Sequence, residues 1–164
     1  MKLSDLPQHL RDKLKAQVPA RPKNKYNVAA KSARTFEGIV FDSKLECQAY
    51  IALRNNLADL KQVKLQDPFL LQEDYVMEGK KIRGIRYIAD FVIGNSRRMF
   101  EDSPVIGNTL VIDVKGMATQ EFKLKRKMFE KRYGKIWIIK TLKELSNIPW
   151  EKFEIKLRHS AFII

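Results

Sequence analysis

The sequence predicts an α/β protein, a mixed central sheet flanked by helices with its main elements in the order α-β-β-β-α-β. Three observations carry this. Four apolar runs of strand length are bounded by turn residues, a capped helical stretch precedes them, and a second helical stretch separates the last two. A return through a helix makes those last two strands parallel. With 164 residues, 45% of them apolar and including nine Phe, five Tyr and two Trp, the chain has material for one core, and its length predicts one domain.

Residues 1–35 are predicted to form a basic N-terminal arm: a short helix over roughly 4–17, then PARPKNKYNVAAKSART, with Pro19, Pro22 and few large apolar groups. The core is expected over residues 36–141, opening with a short strand from Phe36 to Phe41. Ser43 stands three residues before Glu46, a capping-box spacing, and Leu45, Ala49, Ala52, Leu53 and Leu60 make the apolar stripe of a helix reaching about Leu60. After Asp67-Pro68, Phe69 to Met77 and Ile82 to Ile93 read as antiparallel strands around a turn at Glu78-Gly79-Lys80-Lys81. Residues 94–108 read as a polar connection. Thr109 to Lys115 is the third strand, Thr119 to Tyr133 a helix with Gly134 as its left-handed cap, and Lys135 to Thr141 the fourth strand. Residues 142–164 are left as a C-terminal extension.

The chain carries 32 Lys and Arg against 19 Asp and Glu, a formal charge of +13. This excludes an acidic calcium-buffer protein. Nine Lys/Arg and two Asp in residues 1–35 leave +7 there, eight Lys/Arg and two Glu in residues 115–135 leave +6, and the remainder is neutral. Excess charge confined to two segments predicts a polyanion surface, with nucleic acid as the leading partner, because each neutralised phosphate releases counterions. Acidic lipid is the weaker competitor, since neither segment joins its charge to a long apolar face. Lys23, Lys25, Lys31 and Arg34 in the arm are the candidate contacts. The lone Cys47 permits no intramolecular disulfide and no cysteine-cluster metal site. Asp5 and Pro7 stand where a signal peptide needs apolar residues, and no run is long enough for a membrane span, so a cytoplasmic protein is expected.

Three acids stand where a core does not want them. Asp90 lies within Tyr-Ile-Ala-Asp-Phe-Val-Ile, on one face with Ile88 and Val92 by strict alternation; Asp113 lies within Leu-Val-Ile-Asp-Val-Lys-Gly, sharing a face with Val111 and Lys115. A buried unpaired carboxylate costs several kcal/mol, so both call for a cation. Glu46 lies at the edge of its helix's buried stripe, where the capping box explains it and metal binding can coexist. Three carboxylates and a lysine are hard ligands for Mg²⁺, with Mn²⁺ as a substitute, and a cation beside them. Such a site suits metal-assisted phosphodiester hydrolysis. His9 and His159 lie in the termini, far from this pattern, which argues against a histidine-based hydrolase.

Ser43-Lys44-Leu45-Glu46, Tyr87-Ile88-Ala89-Asp90-Phe91 and Ile112-Asp113-Val114-Lys115-Gly116, on this element order, resemble the PD-(D/E)XK nuclease superfamily, and within it the phage-encoded endonucleases that resolve Holliday junctions, of the phage endonuclease I type. The resemblance covers roughly residues 36–141. It departs from the family's pattern at Ala89, where the motif has proline, and at Asp113, where Glu is common. It implies a restriction-endonuclease-like core in which Glu46, Asp90 and Asp113, with the carbonyl of Val114, bind one or two divalent ions. Lys115 would orient the attacking water or stabilise the phosphorane-like state, and Gln120, Lys123 and Lys127 would touch phosphate. It further implies a Mg²⁺-dependent DNA endonuclease selective for branched DNA, a homodimer because both strands are cut symmetrically, and host cytoplasm if phage-encoded. A non-catalytic nucleic-acid-binding protein on the same fold, or a restriction-type or end-processing nuclease, are the alternatives. Phe122, Phe129 and Tyr133, at helical spacing, are expected in the core.

Overall fold

A computed structural model describes residues 29–60, 63–94 and 109–164, together with Gln8. Apart from Gln8 and Gly94, the expected helix over 4–17, Lys23 and Lys25, and the 94–108 connection lie outside the described residues. The first described element is a 3-10 turn, Lys31–Arg34. A small hairpin follows, β1 (Thr35–Phe36) and β2 (Ile39–Val40), where one strand was expected. Its two-residue turn, Glu37-Gly38, has positive φ at both positions, the geometry that matches strand twist in a tight hairpin.

Helix α1 (Lys44–Asn56) starts as its sequence directs, with Ser43 Oγ accepting from the Glu46 N–H at 3.0 Å. It ends four residues earlier than its apolar stripe suggests, because Leu57 is extended and bridges Leu157 from the C-terminal segment. Strand β3 (Val63–Gln72) then runs straight through Asp67-Pro68, which reads as a break in sequence. The central sheet supplies the reason: β3 lies at its edge, where a proline without an N–H is tolerated.

Strand β3 pairs antiparallel with β6 (Ile85–Ile93), and the chain between them projects as a second hairpin, β4 (Tyr75–Met77) and β5 (Lys80–Ile82), turning at Glu78-Gly79 alone. Strand β7 (Leu110–Val114) is antiparallel to β6, and β8 (Ile136–Ile139), reached through helix α2 (Gln120–Tyr133), is parallel to β7 as expected. Gly134 does end α2, but at φ +99° and ψ −166°, a glycine conformation outside the left-handed helical region expected for it.

The β7 side chains show how the layers sit. Leu110, Ile112 and Val114 pack with Ala49 and Leu53 of α1, whereas Val111 packs with Phe122 and Phe129 of α2. Alternate residues of a strand point to opposite faces, so the two helices cover opposite faces of the sheet. The molecule is therefore a mixed α/β fold with a four-stranded mixed central sheet. Residues 142–164 add two 3-10 turns, Leu142–Asn147 and Trp150–Phe153, and contribute Leu145, Ile148, Trp150, Ile155 and Phe162 to the core on the α1 side. Among the described residues no helix is long and apolar enough to cross a membrane.

Candidate active site

Glu46, Asp90 and Asp113 are all buried, Asp113 completely. They arrive from α1, β6 and β7, and each is held by a different device. Glu46 Oε2 accepts from the Asp42 N–H at 3.0 Å, so the helix-start glutamate caps the chain one residue before the expected partner, Ser43. Its other oxygen accepts from Gln66 Nε2 at 3.1 Å. The same Gln66 amide reaches Asp90 Oδ1 at 3.3 Å, and Asp90 Oδ2 accepts from the Val114 N–H at 2.7 Å. One glutamine thus bridges two acids, and the β7 backbone holds the second beside the third.

Asp90 does not share a face with Ile88 and Val92 in the regular way the alternation suggests. Tyr87 and Ala89 pack in the α2-side cluster, Phe91 and Ile93 in the α1-side cluster, and Asp90 stands where the alternation slips. The slip coincides with the end of β6–β7 pairing at Phe91↔Ile112. There the carboxylate takes the place of a ladder partner for Val114, and can still be reached from the α1 side.

On the α2 face, Asp113 Oδ2 accepts the Tyr87 hydroxyl. Lys115 Nζ lies 3.1 Å from Asp113 Oδ1 and 5.5 Å from the Phe122 ring centroid, so charge and ring face together place it. That oxygen is itself sealed from solvent, so the ammonium is the charge that faces it.

Burial, and after it the charge of Asp113, pushes the Asp90 carboxyl up to about 7, against the opposing pull of Lys115 and the Val114 N–H. Glu46 is raised as well, chiefly by burial. Burial works against the Lys115 ammonium, but Asp113 and then Asp90 outweigh it and raise its pKa. Burial, followed by Asp113, drives the Tyr87 hydroxyl upward, which keeps it a donor. The acids therefore feel one another strongly, and the single lysine offsets only part of their charge.

A cleft of about 280 Å³ opens on the Asp113 side of this group, with Asp113, Lys115, Tyr87, Phe122, Arg86 and Lys125 in its walls, whereas Glu46 and Asp90 do not line it. Of the expected phosphate contacts, Gln120, Lys123 and Lys127 are exposed on α2 but do not line it, whereas Lys125, which the sequence reading passed over, does. Lys125 is also paired with Glu121 at 2.8 Å. Lys31 is exposed. Arg34 is turned inward, donating to the Phe41 carbonyl with its Nε buried, so its guanidinium braces the first hairpin where a phosphate contact was expected. Phe122 and Phe129 are core residues, and the Tyr133 hydroxyl donates to the Leu70 carbonyl at 2.7 Å. Gln66 and Tyr87 are the site residues the sequence reading missed. Gln66 sits beside Asp67-Pro68, which masked the strand. Tyr87 lies within the Asp90 motif itself, and its three-residue spacing from Asp90 gives no sign that it faces Asp113.

A family model described as a protein of unknown function, DUF1064, matches residues 23–146, more than half of the chain and all of the elements that build the site. The chain belongs to the DUF1064 family. No curated protein and no solved structure matches it. The stretch matched in this DUF1064 member takes in Glu46, Gln66, Tyr87, Asp90, Asp113 and Lys115.

Proposed function

We propose that this DUF1064 protein is a Mg²⁺-dependent DNA endonuclease with a site of the PD-(D/E)XK kind. The observation that carries the reading is a chain of three buried carboxylates from α1, β6 and β7, with Gln66 bridging Glu46 to Asp90, the Val114 N–H holding Asp90 to β7 beside Asp113, and Lys115 paired with Asp113 at a cleft that both line. The donor set fits a hard divalent ion: carboxylate oxygens with no sulfur or imidazole among them, and a carboxyl raised by burial and then by the like charge of Asp113. Glu46, Asp90, Asp113 and the Val114 carbonyl would hold Mg²⁺, or Mn²⁺ in its place, which when bound acidifies water and offsets charge on the departing oxygen. The residues of the chain do the rest. Tyr87 fixes one oxygen of Asp113, Gln66 keeps Glu46 and Asp90 in register, and Lys115 places a fixed cation where a phosphate's negative charge develops. Preference for branched DNA and a homodimeric, symmetric cutter rest on the resemblance to junction-resolving endonucleases.

A second reading, a non-catalytic nucleic-acid-binding protein on the same fold, is favoured by one observation: among the described residues no three or more acids, histidines or cysteines stand together as a ready metal cage. Labelled four-way junction, duplex, flap and single-stranded DNA, incubated with the protein in Mg²⁺ or EDTA and run on a denaturing gel, separate the two. The nuclease reading expects cutting in Mg²⁺ only, lost in Asp90→Ala, and reduced about 100-fold or more in Lys115→Ala with little loss of affinity. DNA bound but left intact in every condition supports the second reading.

A further inference from the structure

We propose that the β4–β5 hairpin and the start of β6 form a second nucleic-acid-binding site, a phosphate track fixed by Arg83 and Arg86 that leads DNA backbone into the Asp113–Lys115 cleft. Taking the polyanion to be DNA rests on the nuclease reading above.

Residues 80–86, Lys-Lys-Ile-Arg-Gly-Ile-Arg, place four cations and no acid in seven positions. Along the chain they are hidden by Glu73, Asp74 and Glu78 just before them, so a running tally of charge nearly cancels. Folding brings Asp74 in among them, in the wall of the cleft that Lys81, Arg83 and Arg86 line. Asp74 is consumed by the hairpin itself: its Oδ1 accepts from the Gly84 N–H at 2.8 Å and its Oδ2 pairs with Lys81 Nζ at 3.2 Å. Arg83 and Arg86 are exposed, and neither makes an ion pair among the described residues.

Two clefts meet at Arg86. One, of about 430 Å³, is lined by Asp74, Lys81, Arg83 and Arg86. The other is the cleft of Asp113 and Lys115, with Arg86 in its wall. Arg83 and Arg86 therefore mark a path from the hairpin to Asp113 and Lys115, along which the acids Asp74 and Glu121 are each paired with a lysine. The guanidinium fork suits phosphate oxygens two at a time. The hairpin is also set firmly: a Cβ on Gly84 would lie 2.3 Å from the Gln72 carbonyl oxygen, so the two chains cross in close contact between the arginines. A backbone already set in place loses little freedom on binding.

The test uses the full-length protein, a fluorescein-labelled DNA duplex and anisotropy in EDTA from about 50 to 200 mM salt, where affinity reports phosphate contacts. Arg83→Ala/Arg86→Ala should bind about tenfold more weakly, with the slope of log affinity against log salt shallower by about 2. A control pair on the exposed C-terminal turns, Lys143→Ala/Lys152→Ala, should keep both quantities near wild type. Unchanged affinity and slope in the arginine pair, or an equal loss in the control, overturns the track. Cleavage in Mg²⁺ keeps the two proposals apart. If wild type cuts but the arginine pair binds normally, the track fails and the nuclease stands; if wild type cuts nothing yet the slope drops in the arginine pair, the track stands and the nuclease fails.

Discussion

Gln66 has a φ of +50° in the middle of β3 and aims its amide at two carboxylates. A non-glycine residue at positive φ costs about 1 kcal/mol or more, and such strain persists where surroundings over-determine it. Gly at this position should therefore be more stable than Ala by about 1 kcal/mol, the reverse of the usual order in a strand interior, with both below wild type for want of the bridge. Urea unfolding of Gln66→Gly and Gln66→Ala measures this, and a more stable Ala variant removes the claim of strain. Asp90 makes a prediction in pH. Its folded pKa, about 7, lies above the ordinary 3.8, so the folded chain holds this proton more tightly than the unfolded one. The sign follows: Asp90 favours folding below about pH 4, and that contribution is lost as pH rises toward 7. In EDTA, Asp90→Asn should gain stability relative to wild type between pH 5 and 8, as read by denaturant midpoints at both. An equal difference at the two pH values defeats the assignment.

At the scale of elements, strand and helix identities were legible because periodicity and caps are local. Ser43 and Thr119 cap α1 and α2, and the apolar run at Leu110–Val114 is the strand buried on both faces. Ends and interruptions were less legible. Pro68 is harmless only because β3 lies at the sheet's edge, and α1 stops at Asn56 only because Leu57 meets a segment a hundred residues away. The β4–β5 hairpin depends on Gly84 for the same kind of reason. Gly84→Ala forces a methyl group against the Gln72 carbonyl and within 2.9 Å of Asp74 Oδ1. An overpacked backbone crossing costs about 1–3 kcal/mol. A lowered melting temperature is expected, with weaker DNA binding if the hairpin carries the track, whereas a melting temperature at or above wild type contradicts the close crossing.

At the scale of the molecule, residues 142–164 are part of the fold. Asn56 holds the Ile163 backbone with both ends of its amide, at 2.6 Å each, and Trp150 stacks on Phe162 with ring centroids 5.0 Å apart. Five buried side chains from this segment, at about 1.5–3 kcal/mol each, approach or exceed the typical net stability of a domain, about 5–15 kcal/mol. A chain ending at residue 141 should therefore fail to fold cooperatively. Circular dichroism melts decide it: a sharp transition near the wild-type temperature would make the segment dispensable.

The sequence by itself determined the α-β-β-β-α-β succession, the parallel return through α2, and the acids Glu46, Asp90 and Asp113, since each of these is a local pattern or a charged residue set in an apolar run. Only the tertiary structure decided which groups serve those acids. Gln66, Tyr87 and Arg86 come from strand positions whose facing depends on where β6 slips its alternation and where β6 and β7 part. It also turned Arg34 inward, and it set Arg83 and Arg86 in one cleft with Lys81, whose charge Asp74 takes up. Local pattern reads one strand or helix at a time, whereas a site is a set of distances between them, and those are set by pairing register and by which face each helix covers.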